Sequence, residues 1–341
     1  MGAGGGQVAA GGGSPVANSD TYSSGRRAMT RPRLSAARRE ALAAHAFLSP
    51  WTLGFLGLTL LPMLATFVLS FTDYALLDPG RARWVGLANY RQALGDDPLV
   101  WQALKVTAYY ACASLALDLV VGFALALVLR VGFRGVGLVR AAYYLPGVVS
   151  GVAVALLWLW IFQPRSGLAN AVLGVLGVPR LGWFYSTSWV IPAFVLMSLW
   201  NVGRSAFIYL AILQRIPARL YEAAAVDGAS PARRFLSITL PLVTPAIFLN
   251  LVLGLIGNFQ IFTPGFVITE GNGGPGSATL GGPGTSSLFY ILYLYQQAFR
   301  YFSFGYAAAL ACILFVLLLA ITLIAFGTAR YWVHYDTDTA G

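Results

Sequence analysis

Six long apolar runs separated by polar segments organise this chain, at residues 47–72, 100–129, 137–162, 189–213, 240–263 and 304–327. Each reaches the roughly 20 residues that a helix needs to cross a hydrocarbon layer about 30 Å thick. The runs are continuously apolar rather than alternating, so they predict membrane helices and exclude the period-two pattern of a β-barrel. Pro62, Pro146, Pro192 and Pro245 fall inside them, which membrane helices tolerate where neighbouring helices satisfy the freed carbonyl groups. Composition agrees. With 58% hydrophobic and 10% charged residues and a mean hydropathy of +0.71, the 341 residues have too little polar surface to cover a soluble globule. The expected fold is an all-α membrane protein with six transmembrane helices.

The polar segments set the domain plan and orientation. Residues 1–45 are rich in Gly, Ala, Ser and Arg without an apolar run, and are expected to form a disordered, basic cytoplasmic tail without a cleavable signal peptide. A six-span domain over 46–330 and a short cytoplasmic tail over 331–341 complete the plan. If the N-terminus is cytoplasmic, that side carries fourteen arginines, in the clusters Arg26 to Arg39, Arg130 to Arg140 and Arg215 to Arg234 and at Arg330, against six on the other. Lys105 and Arg204 lie within spans. The bias places both termini inside the cell. The net charge of +10 then reads as topology and contact with membrane lipid, with no need for nucleic acid.

Between the fourth and fifth runs, residues 217–241 are polar and helix-forming. Pro217 is placed to start a short helix, Gly228 to end it in a left-handed turn, and Ser230 with Pro231 to cap and open a second helix. This predicts a helix-turn-helix on the cytoplasmic face, exposed to a partner. Glu222, Ala223, Ala224, Gly228, Ile238, Leu240 and Pro241 also fill every position of a pattern that resembles the EAA motif of ABC importer permeases.

Other segments resemble the carbohydrate-type branch of that family, which includes maltose and glycerol-3-phosphate permease subunits. They are Gly86-Leu87-Ala88-Asn89-Tyr90 after the first run, Arg140, Leu145 and Pro146 entering the third, and Trp158, Trp160, Pro164, Gly167 and Asn170. Trp200-Asn201, Gly281-Gly282-Pro283 and Phe304-Gly305-Tyr306-Ala307-Ala308 extend the likeness over roughly 45–330. Val106-Thr107 departs from it where Asn-Thr is usual, and Thr263 where Asp is common. The resemblance implies a type I ABC importer permease fold with a cytoplasmic coupling helix between spans 4 and 5, in a bacterial or archaeal cell membrane. It implies that Glu222, Ala223, Ala224, Asp227 and Gly228 meet an ATPase. It also implies as partners a second homologous permease, two copies of that ATPase and an extracellular solute-binding protein. ATP and Mg would be bound by the ATPase subunits, and this chain would hold no cofactor.

Chemistry of its own is not evident. Lys105, the only lysine, lies between Leu104 and Val106, so the Gly-Lys-Ser/Thr of a phosphate-binding loop is missing. Cys112 and Cys312 fall inside runs, and His45 and His334 at their edges, which gives no disulfide framework, metal set or catalytic group. What remains is a route for a solute. Asn201 and Arg204 share one helix face, Asn258 and Gln260 end the fifth run, and Asn250, Gly254 and Gly257 form a stripe that lets another helix approach closely. Asp118 is the one acid within a span, placed to pair with Arg204 or to hold helices together. The expected cargo is a sugar or oligosaccharide carried by alternating access, with glycerol-3-phosphate or another polyol as the alternative and an ion-coupled secondary transporter as a remote one.

Overall fold

The computed structural model describes residues 36–334 apart from 79, 81 and 274–280. Residues 1–35 of the expected tail, the C-terminal 335–341, Arg81 and residues 274–280, half of the Gly- and Pro-rich segment 271–284 that the sequence leads one to expect as an external loop, lie outside the described residues. Packing divides the chain after Leu60. In the first unit, α1 (Ala36–Phe55) is followed by a π-helical turn, Leu56–Leu60. The last ten residues of the expected tail are thus helical, because Ala36-Ala37-Arg38-Arg39-Glu40-Ala41 is a run of strong helix formers.

The second unit contains α2 (Leu61–Leu69), α3 (Ala88–Arg91), α4 (Pro98–Arg130), α5 (Val136–Tyr144), α6 (Gly151–Ile161), α7 (Leu168–Val175), α8 (Val190–Ser198), α9 (Val202–Leu213), α10 (Ala218–Val226) and α11 (Pro231–Arg234). It continues with α12 (Leu240–Phe259), α13 (Thr263–Gly273), α14 (Tyr290–Phe299) and α15 (Phe304–Trp332). Among the described residues there is no β-strand. Among the described residues, five helical segments are long and apolar enough to cross a membrane: Ala43–Leu69, Pro98–Arg130, Val190–Leu213, Pro231–Thr269 and Phe304–Trp332.

The third expected span, 137–162, is not one straight helix. It is a pair, Val136–Val148 and Gly151–Ile161, bent by 102°. Pro146 lacks the N–H that would continue the ladder, and the chain leaves through a 3₁₀ turn at Leu145–Val148 and extended backbone at Val149. Distant residues hold the bend. Trp200 Nε1 donates to the Pro146 carbonyl at 3.1 Å, and a Cβ at Gly203 would lie 1.9 Å from the Tyr143 carbonyl oxygen, so only glycine lets α9 approach so closely. Pro245 is accommodated differently, without a break. The carbonyl it frees, that of Pro241, accepts from Thr244 Oγ1 at 2.6 Å.

The long helix α4 is the central post, packing against α8, α9, α12 and α14. Asp97 caps its start, accepting from Leu99 N at 2.9 Å, and the other carboxylate oxygen accepts from the Tyr293 hydroxyl and, at 2.7 Å, from that of Tyr306. One side chain thereby ties α4 to α14 and α15. Thr107, next to Val106, donates to the Ala103 carbonyl and accepts from Tyr290 N, both at 2.8 Å, so it satisfies a free donor at the start of α14. One core gathers the rings of Tyr110, Phe184, Phe194 and Phe289. A second packs Leu129, Tyr209, Leu213 and Val243 where α4, α9 and α12 meet. The segment after α6 is organised by buried Asn170, which donates to the carbonyls of Pro164 and Leu181 at 3.0 and 2.9 Å. Its oxygen accepts from Leu181 N at 3.1 Å and Trp183 Nε1 at 2.9 Å.

Candidate functional site

The polar segment folds as its local chemistry dictates. Pro217 precedes α10 in extended conformation, and the helix ends at Asp227. Gly228 then turns at φ +72°. Ala229 N donates to the Ala224 carbonyl at 2.9 Å and Gly228 N to that of Ala225 at 3.1 Å, the paired closure that satisfies end carbonyls once a left-handed residue follows the helix. Ser230 Oγ accepts from Arg233 N at 3.3 Å, with Pro231 as the first residue of α11. A π-helical turn, Phe235–Thr239, leads into α12.

No residue of α10 is buried. Glu222, Ala223, Asp227 and Gly228 are exposed and Ala224 half-buried, so the five residues expected to meet a partner form one accessible patch. Val226 beside them is 88% exposed, an apolar side chain that a contact would cover. One residue of α10 reaches inward. Arg130 Nη1 donates to the Tyr221 hydroxyl at 3.1 Å, and the Arg130 guanidinium lies 4.9 Å from the centre of the Tyr221 ring. The same hydroxyl is 2.9 Å from Thr239 Oγ1.

The second feature is a cavity of about 350 Å³ among α4, α8, α9 and α12. Asn201 and Arg204 line it from the fourth span and Asn258 from the fifth, so three of the four residues expected on a solute route come together. Gln260 does not line it; it is exposed just past the end of α12. Gly254 and Gly257 contribute bare backbone to the wall. The stripe also serves close packing, since a Cβ at Gly254 would lie 2.7 Å from Leu115 Cδ1 on α4. Asn250 is buried and donates to the Ser205 carbonyl at 3.4 Å.

Asp118 lies on the wall beside Tyr110 and Ser114. Its carboxylate accepts from Ser205 Oγ at 2.9 Å. Among the described residues it makes no ion pair with Arg204, although the two charges are near enough to attract. Arg204 is exposed and lines the same cavity. The α4 wall of Tyr110 and Ser114 escaped sequence reasoning, because isolated hydroxyls in a strongly apolar run carry no periodic signal. The cavity presents amides, hydroxyls and one charge of each sign over an apolar floor that includes Phe194, Met197 and Ile261, a lining suited to a solute with many hydroxyl groups.

Residues 118–329 match the family model described as binding-protein-dependent transport system inner membrane component. The chain is 42% identical over 304 residues, 88% of its length and 94% of the relative's, to the probable ABC transporter permease protein YesP of Bacillus subtilis (strain 168). It is 32% identical over 288 residues to the arabinooligosaccharides transport system permease protein AraP of the same organism, covering 83% of this chain and 87% of the relative. Among solved structures, a bacterial ABC transporter involved in the import of the acidic polysaccharide alginate superimposes with a TM-score of 0.72 at 25% identity, over 86% of this chain and 97% of that one.

Proposed function

Since the chain belongs to the family of binding-protein-dependent transport system inner membrane components, whose members are transport components rather than enzymes, we propose that it forms half of the path by which an ATP-driven importer carries a sugar or oligosaccharide. The observation that carries this reading is the pairing of an exposed, firmly terminated α10 with a polar cavity walled by the helices α10 is fastened to. A sugar stripped of water costs several kcal/mol for each hydroxyl left without a partner, and the amides and hydroxyls of the cavity supply such partners. Alternating exposure of that cavity to the two sides moves the solute without opening a continuous hole. The relatives named for arabinooligosaccharides and alginate support saccharide cargo.

In this reading Glu222, Ala223, Ala224, Asp227 and Gly228 dock on an ATPase, two copies of which bind the ATP and Mg. A second homologous permease closes the open side of the cavity, and an extracellular solute-binding protein delivers the cargo. Both termini lie in the cytoplasm of a bacterial or archaeal cell, by the arginine bias. Asn201, Arg204 and Asn258 touch the solute, with Gln260 at the external end of the fifth span, where the cargo enters. A polyol phosphate such as glycerol-3-phosphate is the second reading, favoured by the unpaired face of Arg204 alone.

Co-purification followed by reconstitution tests the proposal. The chain should isolate with a second permease and two ATPase copies, and uptake of labelled oligosaccharide should need both ATP and the loaded binding protein. An active complex containing this permease as a homodimer would refute the heteromeric assembly. Uptake driven by an ion gradient without the ATPase would refute the whole.

A further inference from the structure

Helix α10 is nine residues long and has no buried residue, and a helix of that length is marginal in water without tertiary support. Much of its support passes through Tyr221. The hydroxyl accepts from Arg130 Nη1 at 3.1 Å and shares a hydrogen bond with Thr239 Oγ1 at 2.9 Å, while the ring lies under the guanidinium. Arg130 stands in the last turn of α4, where a cation is also favoured by the helix dipole. Thr239 is buried at the end of the π-helical turn that opens α12. Both helices run on to the cavity: Asp118 lies twelve residues up α4 and Asn250 eleven residues along from Thr239, each about 17 Å along the helix axis at 1.5 Å per residue.

We propose that Tyr221 is the positioning residue that carries a displacement of α10 into the two helices walling the cavity, acting as a clamp on Arg130 and Thr239. The inference rests on the reading of α10 as the ATPase-docking helix. It assigns Tyr221 a role separate from docking, since its hydroxyl is turned inward while Glu222 and Ala223 face out. Without the clamp, α10 can still dock and move, but the motion is absorbed in a loose joint rather than passed to α4 and α12.

The test uses the full reconstituted complex with Cys112 and Cys312 replaced by alanine. An Ala225→Cys substitution, at an exposed position of α10 outside the docking set, reports docking by cross-linking to a cysteine on the ATPase, and solute carried per ATP hydrolysed reports coupling. Tyr221→Phe keeps the ring over Arg130 and removes the hydroxyl. It should cross-link as the parent does, yet carry about fivefold less solute per ATP, the factor expected when the hydrogen bonds of one hydroxyl are lost. Thr239→Val should act in the same direction, Thr239→Ser should restore the ratio, and Tyr221→Phe combined with Thr239→Val should be no worse than the more damaging single change. An unchanged ratio in Tyr221→Phe and Thr239→Val, with cross-linking intact, overturns the clamp and leaves the docking helix standing. Loss of the cross-link in Tyr221→Phe also overturns it, because the residue would then serve only to fold α10. Failure of the parent to cross-link at position 225 overturns the docking reading itself, and the clamp with it.

Discussion

Gly228 separates two reasons for a glycine at the end of α10. Its φ of +72° lies where a residue with a Cβ is strained by about 1–2 kcal/mol. A Cβ built there meets nothing within 4 Å, so within this chain the requirement is conformational and not steric. A strain of about 1–2 kcal/mol lowers the population of the native turn by a factor of about 5–30, and with it the two hydrogen bonds that close α10 onto Ala224 and Ala225. Asparagine enters the left-handed region more readily than other residues, whereas a β-branched residue is a severe misfit there. Solute uptake into proteoliposomes holding the complete complex should therefore fall in the order Gly228→Asn, Gly228→Ala, Gly228→Val, with the asparagine variant retaining most of its rate. Membrane insertion should be equal in all three. An asparagine variant as inactive as the valine one would refute the conformational argument and show that a partner, pressed against the bare Cα, is what demands glycine.

Three further outcomes are expected. Glu222→Lys reverses a charge on the exposed patch and should abolish solute-dependent transport while the protein still inserts; normal uptake would remove the patch from the coupling mechanism. Arg204→Gln should weaken uptake of a neutral sugar modestly, by about 1–3 kcal/mol of lost interaction. Uptake of glycerol-3-phosphate that vanishes in that variant would instead identify an anion clamped by the guanidinium. Asn170→Ala leaves Leu181 N and Trp183 Nε1 without their acceptor, at about 1–3 kcal/mol for each buried donor; thermal unfolding in detergent should begin clearly lower, and an unchanged midpoint would show that water replaces the amide at no cost.

The sequence by itself determined those features whose causes lie close together along the chain. Apolar runs of membrane length need only composition, and five of the six appear as continuous helical segments. The end of α10 was equally legible, because Pro217, Gly228, Ser230 and Pro231 act through the backbone of their immediate neighbours. Asn201 and Arg204 fell on one face because three residues make nearly one helical turn. Tertiary structure alone decided the rest. The bend in the third span depends on an indole N–H fifty-four residues away and on the missing side chain of Gly203, neither of which alters local hydropathy. Gln260 lies off the cavity although its neighbour Ile261 lines it, and Tyr110 and Ser114 reach it because α4 turns that side toward α9 and α12. Tyr221, one letter before the most recognisable motif in the chain, shows its role only when Arg130 and Thr239 arrive from two other helices. Hydropathy and turn chemistry act over a few residues, whereas a cavity and a clamp are made of contacts between segments that only the packed bundle brings together.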